Sequence, residues 1–561
     1  MGKITNNVSS FIHVIREKCS CYKNRFSIST FYLAIIFTIF NCLAYNIPVF
    51  SNIFHLYSGS IPAKLFFTFY LIVIYIILLW AALYLLLFKY FTKVLIVFIC
   101  MVNSLVLYFT LSYHVIIDYG MLVNVLETDS QEVLGLVTVK GFLYVIILGV
   151  VPSIIFALTK VAYQPLIKEV LKKVTFSIVA IIVALVIILS SYKDVSSYAR
   201  QNRNSIIAFL PYSWIRASVK VIKIKVTPEP KFVITTGDAK LNPAWKKINK
   251  RNTVFVFILG ETSRQKNFSL YGYAKDTNFF LKKEKLILFH NTQSCGTATA
   301  ISLPCMFSDL NRSNFSYKKA KYQTTLLDIL AAVDFDVLWI DNQSKNCKGV
   351  CDRVRSHRIK HQRISTYEGA YDEVLVAELK EQIPFMLKHN KPKFIVLHVM
   401  GSHGPTYSLR YPKKFERYRP SCKTADFQQC SQDEIINAYD NTIYYQSYVI
   451  EQVIAYLKSL RNLNIAVVYM SDHGESLGEH DMYLHGFPYK LAPKEQTTVP
   501  FFMWVNKGFK RNFLPISTSC LNSITKKEYS QDNLYHSLLG LLKVESSTYN
   551  KKLDIFNPCA R

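Results

Sequence analysis

Five apolar stretches in the first 192 residues decide most of what this chain can become. They run from Phe31 to Pro48, Leu65 to Phe88, Val94 to His114, Gly141 to Leu158 and Val174 to Ser191. Each approaches the roughly 20 helical residues that a bilayer core requires. One such run could be a buried core helix, but five in succession read as a membrane domain. Pro152 lies inside the fourth run and predicts a kink there.

Flanking charge sets the orientation. The amino-terminal tail carries Lys3, Arg16, Lys18, Lys23 and Arg25; Lys89 and Lys93 bracket a short loop; Lys168, Lys172 and Lys173 occupy the fourth connection. These regions are expected on the cytoplasmic side. The third loop is acidic, with Asp118, Glu127, Asp129 and Glu132. With five spans, everything after Tyr192 then lies outside. No small-residue cleavage site follows the first span, which reads as an uncleaved anchor. The expected division is a transmembrane domain over 1–192, a bridge over 193–245 and an exported domain over 246–561.

Cysteine usage argues the same way. Cys19, Cys21, Cys42 and Cys100 lie in the tail or the spans. The other eight of the 12 are Cys295, Cys305, Cys347, Cys351, Cys422, Cys430, Cys520 and Cys559, all in the exported half. An even number in an oxidising compartment suggests disulfides. Sequence proximity pairs 295 with 305, 347 with 351 and 422 with 430, leaving 520 for 559. A zinc–thiolate site is the competing reading, although the spacings match no familiar ligand pattern. The formal net charge of +28 reads either as an anionic partner, with lipid, nucleic acid and phosphorylated glycan all fitting it, or simply as a lysine-rich surface.

In the bridge, Ile206, Ile207, Phe209, Leu210, Trp214 and Ile215 mix with Arg216, Lys220, Lys223 and Lys225. The stretch suits the membrane interface, with Trp214 at headgroup depth, and equally suits an amphipathic helix packed on the exported domain.

From Asn252 onward, four short apolar runs read as buried parallel strands: Thr253–Leu259, Phe335–Ile340, Phe394–Val399 and Ile465–Met470. Polar residues follow each: Gly260-Glu261-Thr262-Ser263, Asp341-Asn342, Gly401-Ser402-His403-Gly404 and Ser471-Asp472-His473-Gly474-Glu475. Open α/β sheets bind ligands beyond the carboxyl ends of their strands, so the four loops point at one site. Glu261, Asp472 and His473 offer two carboxylates and an imidazole, a set that suits a divalent metal. Taken alone, Asp472 reads as a cap and His473 as a structural histidine. The segment Ser294–Phe307 places a glycine and small hydroxyl residues before a short helix, where backbone N–H groups and the helix dipole favour a phosphate. Thr299 is then a candidate metal-activated nucleophile, or merely a helix cap.

At these residues the chain resembles the phosphoethanolamine transferases of the alkaline phosphatase superfamily, which include lipid A modifying and mobile colistin-resistance enzymes. The motifs are Gly260-Glu261-Thr262, Cys295-Gly296-Thr297-Ala298-Thr299, Ser471 through Glu479, and Ala492-Pro493-Lys494-Glu495-Gln496. The resemblance spans nearly the whole chain. It implies five transmembrane helices plus an exported α/β domain of alkaline phosphatase/sulfatase-like fold, with a mostly parallel central sheet flanked by helices. It implies metal ligands Glu261, Thr299, Asp472 and His473, with zinc as the metal and manganese chemically admissible, and Thr299 as nucleophile. His403 and His485 fall at positions for proton transfer or phosphate contact. Lys348 and Asn342 fall at substrate-contacting positions, and Asn124, Thr128 and Glu132 at headgroup-contacting ones, although without the resemblance these last three read as a solvated helix face. The implied reaction moves phosphoethanolamine from phosphatidylethanolamine to lipid A or another lipopolysaccharide acceptor through a phospho-threonine, conferring polymyxin resistance. The implied setting is the bacterial inner membrane, multi-pass, with a periplasmic catalytic domain. A monomer is expected, with membrane lipids and no nucleic acid as partners. His480-Asp481 stands where the family commonly has Asn-Gly, either as a surface substitution or as an extra metal ligand. The competing readings are a glycerolphosphate transferase of the lipoteichoic acid synthase type, a phosphodiesterase on the same fold, and a non-catalytic receptor.

Overall fold

The computed structural model describes residues 27–57, 59–113, 115–127, 138–227, 231–343, 347–358 and 371–559. The chain forms two compact units. One takes the chain up to Leu111 together with Val139–Arg216, and the other takes Ser112–Thr138 together with Ala217–Arg561.

The first unit is helical. Ile61–Leu86, Thr92–Tyr113 (all but its last two residues in this unit), Val139–Leu158 and Leu166–Ser190 are each long and apolar enough to cross a membrane. A fifth span arises if Thr30–Tyr45 and Ile47–Leu56, bent by 60° against each other, count as one. The first expected span is therefore broken rather than straight. Asn46 sits at the break, where its Nδ2 donates to Tyr75 Oη at 2.7 Å and Leu210 O at 3.0 Å, and its Oδ1 accepts Leu210 N–H at 2.9 Å. Pro48 at the start of the next helix removes an N–H that a continuous helix would need. Ile178, Val179, Ile182, Leu185, Val186 and Leu189 stay exposed along the Leu166–Ser190 helix, an apolar surface that suits lipid and not water.

Pro152 acts on the turn before it. Val145–Val150 is π-helical, and Val151 N–H bonds Ile146 O. The carbonyl of Leu148, four residues before the proline, accepts the Tyr45 hydroxyl at 2.5 Å instead. Lys173, expected in the fourth connection, lies inside the Leu166–Ser190 helix and is fully buried. It pairs with Glu169 at 3.0 Å, lies 3.9 Å over the Phe88 ring and donates to Leu87 O. In an apolar medium a paired lysine costs far less than a lone one. Trp214 is likewise committed inside this unit, donating Nε1–H to Asn103 Oδ1 at 2.8 Å.

The second unit is built on a seven-stranded sheet. We number its strands β1 Thr253–Gly260, β2 Ile287–Phe289, β3 Asp336–Asp341, β4 Arg355–Arg358, β5 Lys393–His398, β6 Asn464–Ser471 and β7 Phe501–Val505. Their order is β2-β7-β6-β1-β5-β3-β4. The run from β6 to β4 is parallel, and β7 is antiparallel to both its neighbours. Every residue of β1 and β6 is buried, because helices cover both faces. Phe255, Phe257, Leu259, Val468 and Met470 face a core shared with Leu326, Leu330, Leu538 and Leu539. On the opposite face, Tyr469 Oη reaches Gln446 of the Gln432–Ser459 helix at 2.9 Å. That helix starts with a capping box between Ser431 and Glu434. All four sequence-paired disulfides are present: 295–305, 347–351, 422–430 and 520–559. With the sulfurs bonded to each other, the zinc–thiolate reading falls.

Candidate active site

Four neighbouring parallel strands, β6, β1, β5 and β3, end in or just before Asp472, Glu261, His398 and Asp341. The register aligns Ser471 with Gly260, Leu259 with His398, and His398 with Asp341. A row of titratable groups therefore lies along one sheet edge, each placed by a strand too apolar to shift.

Glu261, Asp472 and His473 converge, each offering a ligand atom within 4.8 Å of the others. All three are fully buried. His473 Nδ1–H donates to Gly474 O at 2.9 Å, which leaves Nε2 as the lone-pair nitrogen, 3.3 Å from Thr299 Oγ1. Thr299 Oγ1 lies 3.2 Å from each oxygen of Glu261. Asp472 Oδ1 accepts the N–H of Thr262 and of His473, whereas buried Asp472 Oδ2 has no hydrogen-bond partner. Burial, then the Asp472 charge, pushes Glu261 up to about 7. Burial also pushes Asp472 up to about 6. His473 is driven down to about 4 by burial and then by His485. Two carboxylates forced together, a neutral imidazole and an orphaned carboxylate oxygen fit a divalent cation, which would reverse each of these penalties.

Thr299 opens the Thr299–Met306 helix, so its hydroxyl sits at the positive end of the dipole. The segment before it is anchored on several sides. Cys295 is bonded to Cys305, Gly296 N–H donates to Ser302 Oγ at 3.0 Å, and Cys295 N–H donates to Gln531 Oε1 at 2.6 Å. Buried Gln531 in turn donates to Ser471 O at 2.8 Å and Asp472 O at 2.7 Å. One amide thus ties the Thr299 segment to the Asp472 segment. Thr297 faces elsewhere, its hydroxyl donating to Phe487 O at 2.6 Å.

His485 joins this cluster, its ring 4.4 Å from that of His473 and its Nδ1 2.8 Å from Glu475 Oε2. His403 stacks edge-on to His485 at 5.6 Å, and burial followed by the His485 charge holds it well below the usual histidine range. Asn342 is buried, with Nδ2 donating to Asp372 Oδ1 at 2.8 Å. Lys348 is buried inside the Cys347–Cys351 loop in left-handed backbone, at φ +54°. Asn124 lies on the Tyr119–Glu127 helix, which packs against the Thr299–Met306 helix within the same unit. Thr128 and Glu132 lie outside the described residues. His480 is exposed, in a turn where it and Asp481 both have positive φ.

Sequence reasoning missed His398, Gln531 and Tyr407. His398 is fully buried, 3.4 Å from Asp341 and 3.9 Å from Glu261, with both ring nitrogens lacking a hydrogen-bond partner. The apolar run Phe394–Val399 absorbed it as one more strand residue; its signal was its place at the strand end. Gln531 and Tyr407 carry no local signal, because their partners are far away in sequence.

A family model described as Sulfatase matches residues 253–544, and one described as Phosphoethanolamine transferase EptA/EptB matches residues 75–226. Phosphoethanolamine transferase EptA of Salmonella typhimurium is 38% identical over 467 residues, covering 82% of this chain and 84% of that protein. Phosphatidylethanolamine transferase Mcr-1 of Escherichia coli is 33% identical over 435 residues, 75% of this chain and 79% of that one. The solved integral membrane lipooligosaccharide phosphoethanolamine transferase A of Neisseria meningitidis superposes with a TM-score of 0.88 at 31% identity, over 95% of this chain and all of that one. With a Thr, Glu, Asp and His cluster at the strand ends of a sulfatase-type sheet, and relatives aligned along most of its length, the chain belongs to the phosphoethanolamine transferase family.

Proposed function

We propose that this enzyme transfers phosphoethanolamine from phosphatidylethanolamine to lipid A, and thereby confers resistance to polymyxin and other cationic peptides. The observation that carries the proposal is the position of Thr299 Oγ1, within 3.3 Å of both Glu261 oxygens and of His473 Nε2. No other hydroxyl of the Cys-Gly-Thr-Ala-Thr segment is aimed there, since Thr297 is spent on Phe487 O.

Glu261, Thr299, Asp472 and His473 would hold a divalent metal, zinc or, given the oxygen-rich set, manganese. Bound there, it supplies the positive charge that acidifies the threonine hydroxyl and offsets charge on the phosphoryl oxygens. Thr299 Oγ attacks phosphorus, the bond to diacylglycerol oxygen breaks, and phosphoethanolamine stays on Thr299. An oxygen of a lipid A phosphate then attacks the same phosphorus and releases the Thr299 hydroxyl. His403 and His485 move the protons to the leaving oxygen and from the acceptor. Lys348 and Asn342 contact the phosphate, and Asn124, Thr128 and Glu132 contact the ethanolamine headgroup. In this reading residues 1–192 anchor a monomeric enzyme in the bacterial inner membrane, 193–245 form the bridge, and 246–561 work in the periplasm.

The test is mass spectrometry of lipid A from cells expressing the chain. Wild type should add phosphoethanolamine. Thr299→Ala should lower transfer by on the order of 10³-fold or more, whereas Thr297→Ala should keep most of it and cost about 1 kcal/mol of stability. Transfer near the wild-type rate by Thr299→Ala would refute the mechanism.

A further inference from the structure

Behind His485 lies a buried relay that the transfer chemistry leaves unassigned. Glu475 is fully buried and uses both carboxylate oxygens: Oε1 accepts the Tyr407 hydroxyl at 2.5 Å, and Oε2 faces His485 Nδ1 at 2.8 Å. Arg264 donates to the Glu475 backbone carbonyl at 3.3 Å and to Glu479 Oε1 at 2.7 Å. Tyr407 therefore fixes the rotation of the carboxylate. That rotation decides whether an oxygen points at His485.

Tyr407 is itself held on two sides. Phe427 stacks on its ring at 5.6 Å and 15°, and Tyr439 meets it edge-on at 5.4 Å and 89°. Phe427 belongs to the loop closed by the Cys422–Cys430 disulfide. Within the same unit, Tyr113 packs edge-on to Phe427 at 6.0 Å and donates its hydroxyl to Ala425 O at 3.0 Å. The space is close-fitted. A Cβ on Gly404 would come within 2.7 Å of Glu475 Oε1 and 3.0 Å of the Tyr407 ring, so glycine at this position leaves room for the Tyr407–Glu475 pair.

We propose that Tyr407 is a positioning residue of the transfer reaction: clamped by Phe427 of the disulfide-closed loop, its hydroxyl orients Glu475, and Glu475 orients His485. A carboxyl group held at Nδ1 fixes the ring's tautomer and orientation, and with them what Nε2 presents to the reacting groups. The proposal rests on the reading of His485 as a proton-handling or phosphate-contacting residue. A phenylalanine would fill the same core, so the hydroxyl is what this role requires.

The experiment is a double-mutant cycle in the detergent-solubilised full chain. It follows release of diacylglycerol from fluorescent phosphatidylethanolamine with kcat and KM resolved, and records thermal unfolding of the same samples. Tyr407→Phe should lower kcat about tenfold, the scale of one buried hydrogen bond, with KM unchanged and no more than a few degrees lost in the unfolding temperature. In the His485→Ala background, the residual turnover should be insensitive to Tyr407→Phe. Phe427→Ala, which loosens the clamp without touching the relay, should show the same dependence on His485. A Tyr407→Phe effect of equal size in both backgrounds, or none in wild type, would overturn the proposal. Wild-type turnover in His485→Ala would instead remove the reading of His485 on which it stands.

Discussion

Gly474→Ala tests how the Ser471–Glu479 and Ala492–Gln496 motifs depend on each other. Gly474 N–H donates to Gln496 O and Glu475 N–H to Glu495 O, each at 2.9 Å, so the Asp472–Glu475 segment is zipped to Glu495-Gln496. A Cβ at position 474 would lie 2.0 Å from the Glu495 carbonyl oxygen and 3.2 Å from Arg264 Cβ. Backbone cannot rotate away as a side chain could, so one segment must retreat by about 1 Å. Retreat breaks both hydrogen bonds, at about 1 kcal/mol each, and adds an overpacking cost of about 1–3 kcal/mol. The expected loss is about 3–5 kcal/mol. It should come with weaker metal binding, because His473 is the next residue. Chelator competition gives the metal affinity, and denaturant unfolding of the second unit gives the stability. Gly237→Ala is the control: nothing lies within 4 Å of its added Cβ, and it should be neutral or slightly stabilising. If Gly474→Ala matched wild type in both measurements, the close approach of the two segments would not matter and the steric account would be wrong.

Gln531→Ala should cost about 3 kcal/mol or more, because it strands three buried backbone groups; unfolding and transfer should fall together, and unchanged stability would show that these groups find other partners. Asp481→Gly should stabilise by about 0.5–1 kcal/mol, since Asp481 holds φ +58° beside His480 at +52°, a region that glycine enters freely; calorimetry decides, and no gain would mean that the turn is not strained. Metal-free protein should lose stability between pH 6.5 and 8, because Glu261, raised to about 7, and Glu475, raised to about 8, keep protons that the unfolded chain has already released. His473, lowered to about 4, destabilises only below pH 6.5 and does not oppose this loss; a metal-free unfolding curve flat across that window would count against the buried-carboxylate picture.

Local chemistry made much of this protein legible from its residues. Runs such as Thr253–Gly260 are apolar throughout because both faces of a parallel strand are covered, so the strands could be located and the polar residues at their ends collected into one site. Glu261, Asp472 and His473 come together for that reason, and Thr299 joins them from the start of a helix. Short spacings likewise made the disulfides 295–305, 347–351 and 422–430 readable, and 520–559 followed as the remainder. Only the tertiary structure could pair Gln531 with Cys295, Tyr407 with Glu475, or His398 with Glu261, because each contact joins segments more than 60 residues apart. It also decided what hydropathy cannot: that Asn46 sits at the bend near the first span and bonds Leu210, and that Lys173 is buried beside Glu169 within a helix rather than lying in a connection. Hydropathy and motif spacing report what a residue prefers for its surroundings. Which partner meets that preference is set by packing between distant segments, and that information exists only once the chain has folded.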